Sequence, residues 1–391
     1  MSVLTVGVVR ETATRERRVA LDPASVKQLI SAGRAVLIET DAGTAASYPD
    51  DLYVAAGASI VTRDDVVAQS AVMAVVRPPD TALAASLREG QVLIGLLDPL
   101  NHLATVQELG DRHVTLVAFE MLPRTLSRAQ SMDALSSQSS TAGYRAAIVA
   151  AEAFGRYLSM MITASGTATP AKVMVIGTGV AGLQAIATCQ RLGAIVTGYD
   201  VRAASRGEVE SLGAKFLSPS VNQGSGEGGY ARAMSATEQQ AQQDELATML
   251  ESCDVIITTA KVPGHAPPVL VSASTLGKLR PGSVCVDLGA SDKGGNVAGS
   301  VDGQRVVTPG GVIIIGGGEL AGDLPTSSSQ MYGRNVAAVI ASLFPADTLV
   351  IDPTDEVHQN IVITSDGAIT NAAVDHALAQ LDDQLATAVA S

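Results

Sequence analysis

Apolar and polar positions follow two rhythms along this chain. Through its first third, short apolar runs of strand length occur at Val3–Val9, Ala35–Glu39, Ser70–Val76, Val92–Leu97 and Val114–Ala118. Stretches of helical spacing lie between them, at Pro23–Ala32, Asp51–Ala56 and Leu103–Leu109. Continuous apolar runs suit parallel strands buried on both faces, with the helices as cover. They predict a parallel α/β domain. An Ala-rich helix is expected from roughly Thr141 to Met160, joining this domain to a second α/β region that begins at Lys172.

In that second region Val173-Met174-Val175-Ile176 reads as a buried strand. Gly177-Thr178-Gly179-Val180-Ala181-Gly182 reads as a turn into a helix faced by Leu183, Ala185, Ile186 and Leu192. Gly193 ends the helix, and Ala194–Tyr199 forms a strand closing on Asp200. A strand, a Gly-x-Gly-x-x-Gly turn, a helix and an acid-ended strand within about 30 residues is the form of a dinucleotide site. Gly177 allows the tight turn, Gly179 admits a pyrophosphate to the backbone, and Gly182 lets helix and strand pack closely. Helix-start amides hold the negative charge. Asp200 would accept hydrogen bonds from a ribose 2′-OH and repel a 2′-phosphate, which favours NAD(H); Arg202 acts against that preference. In a chain with 37 glycines the bland alternative is an α/β turn without a ligand. The flanking strand, helix and acid argue against it.

Later strands are expected at Asp254–Thr259, Ser283–Leu288 and Val312–Ile315. Ser218–Gly229 is Gly/Ser-rich and reads as a mobile loop. Gly316-Gly317-Gly318 lacks a Lys-Ser/Thr and reads as close backbone packing rather than a second phosphate loop. After Pro325 a helix over Gln330–Leu343 and a hairpin of Thr348–Ile351 with Ile361–Thr364, turning at Asp366-Gly367, are expected. Val374, Leu378, Leu381 and Leu385 lie on one face of a terminal helix, packed rather than forming a partner seam. The fold class is α/β, two Rossmann-like parallel-sheet domains with a cleft between them. Residues 1–135 plus 326–391 would form a split first domain, and 136–325 the dinucleotide-binding one.

Composition narrows the picture. Hydrophobic residues at 47% and charged ones at 17% give enough apolar surface for large cores. Aromatics are only 3%, so those cores are built from Ala, Val, Leu and Ile, as covered parallel sheets are. A net charge of −13 argues against nucleic acid and against docking on an anionic membrane. No apolar run is long enough to span a bilayer, and the first residues have no basic region of a signal peptide. Cys189, Cys253 and Cys285 form no CxxC and read as reduced, buried thiols in the cytoplasm. The histidines make no metal-ligand spacing, so no metal site is expected.

The stretch Pro123-Arg124-Thr125-Leu126-Ser127-Arg128-Ala129-Gln130-Ser131-Met132-Asp133-Ala134-Leu135-Ser136-Ser137-Gln138, continued by Ala142-Gly143-Tyr144-Arg145, resembles one family. It is that of the NAD(H)-binding component of proton-translocating nicotinamide nucleotide transhydrogenases, to which the alanine dehydrogenases are related. Gly177–Ala187, Gly228–Arg232, Ile257–Ala260, Pro281–Val284 and Leu324–Thr326 agree, and the similarity extends to about residue 368. The resemblance implies a subunit that binds NADH and passes hydride directly to NADP⁺ on a partner NADP(H)-binding domain. A membrane proton-channel subunit couples the transfer to proton flow. It implies a homodimer, cytoplasmic and peripheral to the inner membrane through its partners. The implied catalytic loop residues are Gln130, Asp133, Arg128 and Ser136, holding the nicotinamide carboxamide and ribose, with Tyr230 on a mobile loop. The implied cofactor contacts are Ser127, Arg128, Ala129, Gln130, Asp133, Gly177, Gly179, Val180, Ala181, Gly182, Asp200, Val201, Arg202, Gly229, Ala260 and Lys261. Direct transfer between two nicotinamides needs positioning and exclusion of water, not an acid or base.

The chain departs from this pattern in five places. One extra residue separates Arg124 from Arg128, so either arginine could fill the loop role. Lys261 stands where an apolar residue is usual, and Asp292-Lys293 adds a residue. Ala321-Gly322-Asp323 differs from the usual sequence, and about 20 residues follow the usual end. From chemistry alone, Gln130, Asp133 and Ser136 could be a helix-capping cluster. Tyr230 could be a solvent-facing loop residue. Arg18 matches a position that binds substrate carboxylate in amino-acid dehydrogenases, or pairs structurally with Glu11 or Asp22. The competing functions are a soluble NAD-dependent amino-acid dehydrogenase and a divergent NAD-binding paralogue. A dehydrogenase needs a base and a carbonyl-polarising group. The matching lysine and histidine positions fall at Val76 and Asp98, and Arg77 cannot act as a base near neutral pH.

Overall fold

The computed structural model describes residues 3–219, 235–262 and 265–390. Tyr230, Gly229 and most of the Gly/Ser-rich stretch lie outside the described residues. The chain forms two compact units, Met1–Gln138 with Leu324–Ser391, and Ser139–Asp323.

In the first unit the chain runs through β1 (Thr5–Val8), α1 (Pro23–Ser31), β2 (Ala35–Glu39), α2 (Asp50–Ala56), β3 (Ser59–Val61) and α3 (Arg63–Gln69). It continues through β4 (Val72–Ala74), α4 (Thr81–Ser86), β5 (Val92–Gly95), α5 (Leu103–Asp111) and β6 (Thr115–Ala118). Helix starts are set by caps: Asp22 accepts from the Ser25 and Ala24 amides, Thr62 from Asp65, and Asp80 from Leu83. Val6, Val8, Val72, Ala74, Ile94 and Val117 are buried in one core with Tyr332, Val336 and Ile340. Each large apolar side chain there contributes about 1.5–3 kcal/mol of transfer free energy.

α6 (Ala134–Ala153) carries the chain into the second unit. There follow β7 (Met161–Thr163), β8 (Gly166–Ala168), β9 (Lys172–Ile176), α7 (Val180–Arg191), β10 (Ile195–Tyr199), α8 (Arg206–Ser211) and β11 (Lys215–Leu217). Next come α9 (Ala236–Leu250), β12 (Val255–Thr258), α10 (Ala273–Leu276), β13 (Val284–Asp287), β14 (Arg305–Val307) and β15 (Ile313–Gly316). The chain then returns to the first unit as α11 (Pro325–Leu343), α12 (Glu356–Ile361), β16 (Val362–Ser365), β17 (Ala368–Ile369) and α13 (Ala372–Ala390).

Among the described residues the two main sheets are wound alike. The first has the order β3-β2-β1-β4-β5-β6, parallel, extended antiparallel by β16 and β17. The second has the order β11-β10-β9-β12-β13-β15, parallel, with β14 antiparallel at the edge. Both follow the doubly wound order in which the first strand lies at the switch point. In the first unit Glu39, ending β2, accepts from the Arg10 amide at 2.7 Å and from Arg63 Nη1 at 3.2 Å. It thereby locks the loop that follows β1.

The expected strands and parallel sheets are present, with differences in detail. The Ala-rich helix begins at Ala134, not Thr141, because Asp133 caps it, and it ends at Ala153 before Gly155. The segment to Met160 is not helical, and the small β7–β8 hairpin follows it. Thr348–Ile351 is not a strand: Leu349 and Ile351 pack against the core from a loop that leads into α12. The hairpin at Asp366-Gly367 is formed by β16 and β17. In α13, Val374 is buried and Leu378 packs beside it, while Leu381 is exposed.

Candidate functional site

β9 ends at Ile176 and the chain turns at Gly177, whose φ of +91° suits a residue without Cβ. The Gly177 amide donates to Tyr199 O (2.8 Å), and Thr259 Oγ1 donates to Gly177 O (3.0 Å), pinning the turn between neighbouring strands. A Cβ on Gly182 would lie 1.9 Å from Gly177 O, so helix and strand approach as closely as backbones allow. A Cβ on Gly179 would meet nothing within 4 Å. Among the described residues nothing therefore fills the space where a Gly179 side chain would project, at the N-cap of α7, and no side chain caps the helix there. That arrangement fits a pyrophosphate held on the uncapped amides of the first helical turn.

Asp200 follows β10 and is 5% exposed. Its Oδ2 accepts from the Thr178 amide (2.8 Å) and hydroxyl (3.0 Å), tying the acid to the glycine turn. Arg202 donates to it from the backbone amide (2.8 Å), Nε (3.1 Å) and Nη2 (3.0 Å). Burial opposes ionisation, but the Arg202 and Thr178 hydrogen bonds outweigh it and hold the carboxyl below the usual range. Val201 sits between Asp200 and Arg202, half-buried.

Beyond β12, the buried Asn296 accepts from the Ala260 amide (3.0 Å) and donates to Ala260 O (2.9 Å), setting the strand end beside the glycine turn. Lys261 is exposed, with Nζ 3.4 Å from Gly318 O. The Gly316–Gly318 stretch is close packing: Cβ atoms on Gly316 and Gly318 would fall 1.9 Å from Val301 O and 2.1 Å from Ala290 O.

In the first unit Ser127–Met132 forms a 3₁₀ turn leading to Asp133. Asp133 caps α6 through the Ser136 amide (2.8 Å) and accepts from Ser136 Oγ (2.6 Å). Arg124 joins the cluster, with Nε 3.1 Å from Asp133 Oδ2 and Nη2 2.8 Å from Ser136 Oγ. Arg128 is elsewhere, paired with Asp355. Of the two arginines, Arg124 is the one that meets Asp133 and Ser136. Ala129 is fully buried; Ser127 and Gln130 are exposed, and the Gln130 carboxamide has no hydrogen bond among the described residues.

At the ends of β4 and β5, Val76 is buried and Asp98 is half-buried, with its amide bound to Glu120 Oε1 (2.9 Å). Glu11 accepts from the Val76 amide (2.5 Å), and burial pushes both Glu11 and Glu120 up to about 7. Arg18 makes a two-point pair with Glu16. Arg18 Nε and Nη2 bind Glu16 at 2.7 and 2.5 Å, and Nη1 binds Gln138 at 2.9 Å. Two residues apart, Arg18 and Glu16 close into a bidentate pair that spacing alone did not distinguish.

Sequence reasoning missed Thr178, Asn296 and Gly143. A Cβ on Gly143 would fall 2.0 Å from Ala181 O, so α6 touches the start of α7. Only the small residue inside an Ala-rich helix hinted at it. Among the described residues no three His, Cys, Asp or Glu side chains group to hold a metal, and no helix is long and apolar enough to cross a membrane.

Two doubly wound sheets, one bearing a glycine turn closed by Asp200, define an α/β protein of the Rossmann-type dinucleotide-binding class. The sequence matches the alanine dehydrogenase/PNT family, its N-terminal domain over residues 7–142 and its C-terminal domain over 146–372. The chain belongs to that family. It is 40% identical over 380 residues to an NAD(P) transhydrogenase alpha-subunit chain of Rhodospirillum rubrum, covering 94% of this chain and 98% of the relative. It is 29% identical over 299 residues to alanine dehydrogenase of Bacillus subtilis, covering 75% of this chain and 72% of that one. The crystal structure of transhydrogenase from Sinorhizobium meliloti superposes with a TM-score of 0.82 at 36% identity, covering 94% of this chain and 99% of that one.

Proposed function

We propose that this chain is the NAD(H)-binding hydride donor of a proton-translocating transhydrogenase. The observation that carries the reading is a contrast. The chain carries a glycine turn with uncapped helix amides and an exposed carboxamide at Gln130, while the positions that the resemblance matches to a dehydrogenase's lysine and histidine hold Val76 and Asp98. Direct hydride transfer needs a positioned nicotinamide and no lysine or histidine at those two positions. When bound, NADH supplies the hydride itself.

The roles of the chain's own residues follow. Amides of Val180, Ala181 and Gly182 hold the pyrophosphate at the start of α7. Asp200, Val201 and Arg202 frame the adenosine ribose. Gln130 has a donor and an acceptor free to pair with the nicotinamide carboxamide. By family correspondence, Asp133 and Ser136 with Arg124 are assigned to the nicotinamide ribose, and Ser127, Ala129, Ala260 and Lys261 to further cofactor contacts. Gly229 and Tyr230 complete the set by family correspondence. The partners are an NADP(H)-binding domain and a membrane proton-channel subunit. The chain works as a homodimer, on the cytoplasmic side, held at the membrane by those partners.

The test mixes the chain with the NADP-binding component of a relative and follows reduction of acetylpyridine adenine dinucleotide by NADPH. Transfer that requires both components supports the reading. An NAD-dependent deamination of a common amino acid by the chain alone, without transfer, overturns it.

A further inference from the structure

Asp355 has no role in the reading above, yet it touches the loop that reading depends on. Its carboxylate caps α12, with Oδ1 accepting from the Val357 (2.8 Å) and His358 (3.2 Å) amides. The same carboxylate accepts from both terminal nitrogens of Arg128, Nη1 to Oδ2 at 2.5 Å and Nη2 to Oδ1. This is a two-point match of guanidinium to carboxylate. Such a pair at a surface usually contributes little, because two free side chains must be ordered. Here the acid is already ordered: it is 17% exposed and fixed by the helix amides.

α12 is itself anchored. Val357 and Ile361 are fully buried. His358 accepts from the Asp352 amide at Nδ1 (3.1 Å), and its Nε2 lies 2.9 Å from Ser342 Oγ on α11. The 3₁₀ turn Ser127–Met132 is tied a second time, by Asn335 Nδ2 donating to Ser131 O (2.9 Å). Gln130 lies between the two ties, two residues after Arg128 and one before Ser131. The two ties bracket the backbone from which its carboxamide extends.

We infer that Asp355 is a positioning residue for hydride transfer, holding the turn through Arg128 so that Gln130 presents its carboxamide in one place. This rests on the proposed function for its kinetic consequence, but not for the tether itself. The cofactor's main binding contacts lie at the glycine turn, so losing the tether should lower turnover rather than affinity. Placement matters steeply for a transfer between rings about 3–3.5 Å apart.

The experiment uses the full-length chain with Asp355→Asn, which keeps a capping oxygen, with Arg128→Gln, which leaves the cap alone, and with both. Amide hydrogen exchange is measured over 127–132 and 356–361, NADH affinity by fluorescence titration, and turnover with the NADP-binding component. Each variant should speed exchange in 127–132 by about tenfold and leave 356–361 protected. Each should keep NADH affinity and KM within about twofold and lower kcat by about tenfold, the double variant no worse than either single. Unchanged exchange in 127–132 in both single variants overturns the tether. Faster exchange with unchanged kcat overturns the positioning role. Should Asp355→Asn loosen 356–361, Arg128→Gln decides alone. A wild-type chain that transfers no hydride overturns the proposed function instead, and the exchange data still decide whether Asp355 holds the turn.

Discussion

Arg202 folds back onto Asp200, so that the carboxylate expected to meet a ribose hydroxyl already receives three hydrogen bonds from a residue two positions away. The acid stays ionised, and its charge is partly cancelled where a 2′-phosphate would approach. The chain should bind NADH more tightly than NADPH, by less than an unpaired aspartate would give. Arg202→Ala should widen the preference and Asp200→Ala narrow it, each by about tenfold, the worth of one charge-assisted hydrogen bond. Fluorescence titration with both nucleotides measures this, and stronger NADPH binding by the wild type would refute it.

Gly179 and Gly182 should separate binding from folding. Gly179 has a negative φ and open space in front of it, so Gly179→Ala should keep the melting temperature and lose NADH affinity. Gly182→Ala places a methyl 1.9 Å from Gly177 O and should lower both. Calorimetry beside titration distinguishes the two. Equal losses of stability would mean that Gly179 is structural.

Gln130→Asn should lower hydride transfer far more than NADH binding, on the order of a hundredfold for a displacement of about 1 Å. Asp133→Ala should also cost about 1 kcal/mol of stability, because the α6 cap is lost, whereas Asp133→Asn should retain most of it. If Gln130→Asn transfers hydride at the wild-type rate, the loop is a helix cap and nothing more.

Glu11 and Glu120 predict a pH dependence of stability. Burial raises both to about 7 in the folded chain from an ordinary value of 4.5. A raised carboxyl favours the folded state fully below its unfolded value, and that contribution is lost as pH rises through about 7. Linkage puts it at up to roughly 3 kcal/mol for each group. Glu16 and Asp200, both lowered, act in the opposite sense and only at lower pH. Urea midpoints should therefore fall between pH 5 and pH 8, and Glu11→Gln should flatten part of that fall. A midpoint that rises over this interval would contradict the assignment.

The parallel strands were legible because strands buried on both faces leave apolar runs, and the glycine turn because its backbone demands leave no substitute. β3, α3, α4 and β11 were not, since elements of three to seven residues complete too few periods to stand out. Thr348–Ile351 misled for a physical reason: Leu349 and Ile351 are apolar because a loop buries them, not because a strand pairs them. In the loop, the spacing of Asp133 and Ser136 suggested a cap, and the cap exists together with Arg124. The pairing of Arg128 with Asp355 spans 227 positions and leaves no local trace.

The lock between Glu39 and the Arg10 amide has the same plan as that between Asp200 and the Thr178 amide. In each, the acid ending the second strand grips the loop leaving the first. The two units thus share one winding order and one acid-to-loop hydrogen bond. Where the second unit has Gly177-Thr178-Gly179, the first has Val9-Arg10-Glu11, and Glu11 turns inward onto the Val76 amide. One winding order leads, within three residues of the same strand end, to a bare backbone turn in one unit and to a carboxyl folded onto the neighbouring strand's exit in the other.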